Sequence, residues 1–344
     1  MDDGRPDTAN SNDTVGQMRR SRSAAVRQAL TFVGLLGLVG GVVVEVLARL
    51  GRLHPLLELA SNLRPHILIG SVGVLLLLIL ARHKAAWIAA GLVVLGVLQM
   101  APFWFATPDD PIAGGTDFAV MQFNIAESNR NFDEIAQRVV ASDPDVLVIT
   151  ELTTVQWANI SSRLTQYAFT IAEPWDDQEQ HLGGGLAILS KTEVAEVSLP
   201  VDVSPPHRAI LAGLVAVQNE QVLVVAMHPH ASRTEATKVD LRQAQLEAVS
   251  ELMAERGGHS IVAGDLNLAP TSTQYRSFLD DLGWRDPHRS VGWNATWNFR
   301  GLLLGLPVDH VLVSREIALL AYDVGDGAGS DHRTVTARLS LPPA

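Results

Sequence analysis

Three long apolar runs in the first third of the chain limit its folding choices more than any other feature. The first extends from Ala29 to Val44 and continues past Glu45 to Ala48. The second spans Ile67 to Ala81, and the third spans Ala85 to Ala106, broken mainly by Gln99. A helix crossing a bilayer needs roughly 20 mostly apolar residues, and outside closed barrels only a helix satisfies its own backbone groups in lipid. The first and third runs meet that length, and the second does so when extended through His66 and its neighbours. Arg82, His83 and Lys84 leave only a tight turn between the second and third, as in a helical hairpin. A single cleavable signal segment would not account for three runs. Helices buried in a soluble core are the other alternative. Residues 29–106 are therefore expected to form three transmembrane helices that place the chain in a lipid bilayer.

Charge sets the expected orientation. Residues 1–28 are rich in Asp, Ser, Asn and Arg and are expected to be a disordered cytoplasmic tail. Arg19, Arg20, Arg22 and Arg27 precede the first run, and Arg82 and Lys84 lie in the second turn. The first loop carries Arg49, Arg52 and Arg64, so the contrast there is small. After the third run, however, the next basic residue is Arg130. The positive-inside rule then puts the tail and second turn in the cytoplasm and everything beyond the third helix outside it. The expected location is the cell membrane, multi-pass, with an extracytoplasmic domain.

Residues 107–116 are rich in Pro, Asp and Gly and read as a linker. The remainder, 117–344, is acidic, with 16 Lys+Arg against 29 Asp+Glu of the chain's 26 and 37. That balance disfavours a long basic track for nucleic acid and suits carboxylates gathered around a cation. The absence of cysteine excludes disulfides, thiolate catalysis and zinc–sulfur sites.

Within 117–344, short apolar strands repeatedly end in a polar residue. Asn124 follows Phe118–Phe123, and Glu151 follows Asp145–Thr150. His228 follows Val222–Met227. Asp265, then Asn267, follows Ser260–Gly264, and in extended backbone those two side chains would point the same way. Asp309 lies at the start of the strand Val308–Val313, while Asp331 and His332 precede a last strand, Thr334–Leu339. Further strands are expected at Leu186–Leu189 and Ile210–Val217. Helices are expected at Asn131–Ser142, with an Asn131/Glu134 capping box, and at Glu235–Glu255. Each polar residue alone has an ordinary reading: a turn, a helix-terminal charge, a satisfied strand-end histidine. Together they point to one site, because core strands have no structural need to end in acids and amides.

The order Gln122-Phe123-Asn124, Thr150-Glu151, Gly184-Gly185-Leu186-Ala187-Ile188-Leu189-Ser190, His228, Gly264-Asp265-Leu266-Asn267, Thr296-Trp297, Val308-Asp309-His310-Val311 and Ser330-Asp331-His332 resembles the endonuclease/exonuclease/phosphatase superfamily. The resemblance covers about residues 117–340 and leaves the apolar part uncovered. It implies a four-layered α/β sandwich with two mixed β-sheets, here preceded by three transmembrane helices. It also implies a divalent cation, Mg²⁺ or Mn²⁺, held by Glu151 with Asn124 nearby and Asp331 in support. Asp265 would orient the attacking water or help with proton transfer. Asn267 would donate to the phosphate, Asp309 would orient His332, and His228 would touch the scissile phosphate or leaving group. The glutamate that pairs with this second histidine in the deoxyribonuclease branch has no clear match; the nearest acids are Asp177 and Glu179. Arg208 is a candidate phosphate ligand, and Trp297 a candidate wall of the substrate groove. His230 and His310 are expected to be bystanders.

The implied activity is hydrolysis of a phosphodiester, in nucleic acid or a phospholipid headgroup, by metal-assisted in-line attack of water. The rival reading is a non-catalytic membrane receptor or adaptor on the same scaffold. No protein partner is inferable.

Overall fold

A computed structural model describes residues 9–105, 107–176, 185–198, 210–231, 236–298 and 304–343. It separates into two compact units: residues 1–47 with 64–100, and residues 48–63 with 101–344.

The first unit consists of helices α1 (Ala9–Leu47), α3 (Arg64–Leu80) and α4 (Ala86–Met100), with α2 (Pro55–Asn62) falling in the second unit. Leu38, Leu78 and Ala89 pack together between the three helices. Gly34 permits the approach of α1 to α3, since a Cβ there would lie 2.7 Å from a Leu78 methyl carbon. Leu36, Val39, Leu76, Leu80, Ile88 and Leu98 remain exposed, an apolar exterior that suits lipid. The two polar residues that interrupt the first and third runs meet: Glu45 Oε1 accepts from Gln99 Nε2 at 2.7 Å and from Arg64 Nη1 at 3.3 Å. Among the described residues, Ser21–Gly51 and Ala86–Phe103 are each long and apolar enough to cross a membrane. The pair Leu56–Asn62 and Arg64–Leu80, bent by 73°, is a third candidate. Helix α1 starts at Ala9, inside the stretch expected to be disordered. From Gln17 to Gln28 the sequence holds no Gly or Pro and many good helix formers, so helix propagates back from the apolar run.

The second unit contains two sheets. One comprises β1 (Thr116–Asn124), β2 (Val146–Leu152), β3 (Phe169–Glu173), β4 (Gly185–Ser190), β10 (Ala318–Val324) and β11 (Val335–Leu341), in the order β10-β11-β1-β2-β4-β3. The other runs in sequence through β5 (Val194–Glu196), β6 (Ile210–Val217), β7 (Glu220–Met227), β8 (Ser260–Asp265) and β9 (Asp309–Val313). Both are mixed: β1/β2 and β7/β8 are parallel and the other pairs antiparallel. Strands β3, β5 and β10 carry weaker apolar patterns than the central ones and lie at sheet edges, beyond what the sequence pattern had suggested.

Side chains alternate across each strand, so every sheet has an inner and an outer row. Val120, Val146, Val148 and Ile188 of one sheet face Val222, Val224, Ala226, Ile261, Ala263 and Val311 of the other. The outer face of the first sheet packs on α5 (Phe132–Ser142) and α6 (Thr154–Ile160). That of the second packs on α7 (Ala236–Arg256) and α8 (Thr273–Leu282), with the short α9 (His288–Val291) following. The result is the expected helix–sheet–sheet–helix sandwich. The expected capping box at Asn131 is absent, because Asn131 makes no side-chain cap bond. The reciprocal box lies at Thr153 and Gln156 instead, opening α6 directly behind Glu151.

Candidate active site

The inner rows explain why polar residues converge. Continuing them past the apolar core by steps of two brings Val120 to Gln122 and Asn124, Ala226 to His228, Ala263 to Asp265, and Val311 back to Asp309. At Gly264 β8 runs hard against β7, where a Cβ would collide with the Met227 carbonyl.

Glu151 reaches the same place by a different route. A register shift between Thr150 and Leu152 marks a bulge in β2, and Glu151 there has φ 57°. A left-handed backbone at a non-glycine residue is uncommon and re-aims the side chain. Here it brings the carboxylate to Asn124 and His228. Asn267 also has φ 54°, so the chain turns after Asp265 instead of staying extended. The expectation that Asp265 and Asn267 point together in a strand is therefore wrong in its mechanism. An Asx turn joins them: Asn267 N donates to Asp265 Oδ1 at 2.9 Å, and Asn267 Nδ2 donates to Pro229 O at 3.1 Å.

Asn124 sits at the centre. Its Nδ2 donates to Glu151 Oε1 at 2.9 Å and to Asp265 Oδ2 at 3.0 Å, while its Oδ1 accepts from Ala126 N at 3.0 Å. With that oxygen engaged by a local turn, Asn124 bridges the two carboxylates through its amide nitrogen. His228 Nε2 lies 3.7 Å from both Glu151 Oε1 and Asp265 Oδ2. Both carboxylates thus face the same ring nitrogen of His228. Asp177, Glu179 and Arg208 lie outside the described residues.

Asp309, fully buried, accepts at Oδ2 from His332 Nδ1 at 2.8 Å and at Oδ1 from Gln122 Nε2 at 3.0 Å. Thr296 Oγ1 accepts from Asp309 N at 3.1 Å, and Ser330 Oγ from His332 N at 3.0 Å, so the backbone at both members is braced. His332 Nε2 then faces Asp265 Oδ2 at 3.7 Å. Burial alone would lower the His332 pKa; the Asp309 and Asp265 charges, the Asp309 hydrogen bond and Glu151 outweigh it and push it up to about 10. Burial and the nearby Asp309 charge raise the Asp265 pKa, against His332, His228 and the Asn267 N–H, which lower it. The buried positioning role of Gln122 went unassigned in the sequence; its two-residue spacing from Asn124 was the available signal.

Glu151, Asp265 and His332 each offer a ligand atom, all within 4.8 Å of one another. Two carboxylate oxygens suit a hard divalent cation, so the donor set fits the cofactor that the resemblance implies. Asp331 is not in this cluster. It is exposed, and its Oδ2 accepts from Trp297 Nε1 at 3.2 Å, because its neighbour His332 takes the inward side of the loop. Trp297 stands beside the site, its ring 6.3 Å from that of His332.

His310 points to the opposite face, as expected, but joins a buried pair. Its Nε2 donates to Leu268 O at 2.8 Å, which leaves Nδ1 to accept from His288 Nε2 at 2.9 Å. Burial pulls the His310 pKa down to about 4, against the Leu268 carbonyl and the Asp265 charge, which favour the proton. Burial and His310 hold His288 well below its ordinary value. The folded protein therefore binds fewer protons at these sites than the unfolded chain. Their stability contribution is complete above the ordinary histidine value of about 6.5 and is lost as pH falls through about 4, by about 3 kcal/mol at most for His310. Asp286, raised to about 6 chiefly by burial, offsets part of that fall between its ordinary value and pH 6. Melting temperature should drop over this interval. His310→Gln, which keeps a donor for Leu268 O, should show a flatter dependence; an unchanged slope would mean the imidazole is not held neutral.

The pattern described as the Endonuclease/Exonuclease/phosphatase family matches residues 121–332. No curated protein matches the chain. Among solved structures, the endonuclease/exonuclease/phosphatase from Beutenbergia cavernae DSM 12333 is similar at 23% identity and TM-score 0.55, covering 67% of this chain and 72% of that one. An AP endonuclease from Archaeoglobus fulgidus is similar at 17% identity and TM-score 0.52, covering 64% and 98%. The 3′ phosphatase NExo from Neisseria, bound to a product DNA hairpin, is similar at 22% identity and TM-score 0.50, covering 64% and 98%. At these identities the likeness concerns the fold.

Proposed function

Because the chain belongs to the Endonuclease/Exonuclease/phosphatase family, we propose that it is a membrane-anchored, Mg²⁺-dependent phosphodiesterase with its catalytic unit outside the cytoplasm. The observation that carries this reading is the convergence of Glu151, Asp265, Asn124, His228 and the Asp309–His332 pair on one point at the ends of both sheets. A scaffold that had become a receptor or adaptor would have no reason to keep a buried acid–imidazole pair beside two further carboxylates.

Glu151 and Asp265 would hold the cation, with Asn124 keeping the two carboxylates in register. When bound there, a divalent cation supplies positive charge against the phosphodiester oxygens and neutralises the carboxylates that otherwise keep His332 protonated. Asp309 fixes the His332 ring through Nδ1–H, leaving Nε2 to hold or move the proton in the site. Asp265 would orient the attacking water. His228 and Asn267 would donate to non-bridging oxygens, and Trp297 would wall the groove. Arg208 remains a candidate phosphate ligand from the sequence.

The bond class is a phosphodiester in nucleic acid or a phospholipid headgroup. The test is hydrolysis by the full chain in right-side-out membrane vesicles, using the impermeant diester bis-p-nitrophenyl phosphate, then DNA, RNA, sphingomyelin and phosphoinositides, with Mg²⁺ or Mn²⁺. Metal-dependent cleavage without permeabilisation is expected. Cleavage only after permeabilisation would reverse the orientation, and no diester cleavage at all would remove the function.

A further inference from the structure

Residues 48–63 lie between the first two apolar runs in sequence, yet they belong to the catalytic unit. Hydrogen bonds from α2 to the start of α8 give the reason. Ser272 caps α8, its hydroxyl accepting from Tyr275 N at 3.1 Å. The other first-turn donors are met from α2: Thr273 N donates to Ser61 Oγ at 3.3 Å, and Gln274 N to Glu58 Oε1 at 3.2 Å. The Ser272 and Thr273 hydroxyls donate to the same Glu58 carboxylate, which is 1% exposed. A helix N-terminus offers unpaired N–H groups and partial positive charge, so this carboxylate is both partner and counter-charge. Asn62 Oδ1 accepts from Ala269 N at 2.7 Å, and Leu63 packs against the cluster of Ala269, Leu306 and Val308.

These contacts lie at the back of the loop that joins Asp265 to α8 and carries Asn267. His310 holds the same loop at Leu268 O. Ala269 is fully buried, so without Asn62 its N–H would lose its acceptor away from water.

We propose that Asn62 and Glu58 are positioning residues of the active site, supplied by the segment between the first two apolar helices and acting through residues 266–272 on Asn267. The kinetic part rests on the phosphodiesterase reading; the geometry does not. There is a topological consequence. Residues 48–63 and 101–344 fold as one unit and so share one side of the bilayer. The intervening α3 and α4 then cross an even number of times, and α3 is a span by itself, not half of a bent pair with α2. Its 17 residues reach the lower limit for a span.

The test uses the full chain in membranes. The protein has no cysteine, so single cysteines report cleanly. Leu56→Cys in α2, Asn219→Cys between β6 and β7, and Lys84→Cys between α3 and α4 are treated with a membrane-impermeant maleimide from each face. Leu56 and Asn219 should label from one face and Lys84 from the other. Labelling of Leu56 and Asn219 from opposite faces would overturn the docking, whatever the activity. In the kinetic arm, Asn62→Ala should lower kcat by about 10-fold or more, as outer-shell changes do. Asn62→Asp keeps an oxygen for Ala269 N but loses the Nδ2–H that donates to Glu58 O, so it should fall by less than Asn62→Ala. Adding Asn62→Ala to Asn267→Ala should change little further, because both act through one group. Fully additive losses, or Asn62→Asp falling as far as Asn62→Ala, would overturn the positioning role. A wild-type protein that cleaves no diester would defeat the phosphodiesterase reading and the kinetic role with it, while the labelling would still decide the docking.

Discussion

His332→Ala is expected to lower turnover by ~10²–10⁴-fold, the usual contribution of a general acid–base group, with the fold retained. The ring is held by a buried carboxylate at 2.8 Å and faces the Asp265 carboxylate, so its removal takes away the imidazole that Asp309 fixes beside the cluster. Asp309→Asn should cost less, since an amide oxygen can still accept from Nδ1–H. It should also move the His332 limb of the pH–rate profile to lower pH. The sign follows from the charges: Asp309 favours the imidazolium and helps hold it up to about 10, so an uncharged partner lets the proton leave more easily. A purely structural pair would behave differently, with both changes lowering melting temperature while turnover per folded molecule stayed near wild type. Melting temperature and pH–rate profiles measured on the same preparations separate the two. An unmoved limb in Asp309→Asn would take this pair out of the mechanism.

Glu151→Gln is expected to weaken divalent-metal binding by at least about 10–100-fold, the range seen even when only an outer-shell partner is lost. The substitution keeps the volume and leaves a carbonyl oxygen for Asn124 Nδ2, so the bulge in β2 should survive. One negative charge is lost from a pair of carboxylates that together suit a hard cation. Activity should fall sharply at limiting Mg²⁺ and recover in part at high Mg²⁺ or with Mn²⁺. Mn²⁺ titration calorimetry gives the affinity independently of turnover. Full activity at limiting Mg²⁺, with unchanged Mn²⁺ affinity, would exclude Glu151 from the ligand set.

Much of the fold could be read from local pattern. Strands β1, β2, β7, β8 and β9 are buried on both faces and therefore appear as short, continuous apolar runs. Their polar ends were equally visible, because a two-residue period carries an inward row from Val120 to Asn124 or from Ala263 to Asp265 without reference to any distant contact. Edge strands such as β3 and β5 were not visible: their side chains are half-exposed, and pairing with β4 and β6 rather than composition makes them strands.

Residue identity and spacing were enough to nominate Asp265, Asp309, His228 and His332, since each follows or opens a core strand. They could not reveal which atom each side chain presents. Asn124 turns its oxygen to Ala126 N, Asp331 faces Trp297 outside the cluster, and Glu151 enters the site through a left-handed bulge. Each of these depends on backbone conformation and on partners up to 141 residues away, such as Asp265 for Asn124. Hydropathy marked the apolar runs because burial in lipid or core is a property of local composition. It could not show that α2, lying between two of them, belongs to the catalytic unit, since what holds it there is a buried carboxylate meeting the N-terminus of a helix more than 200 residues downstream.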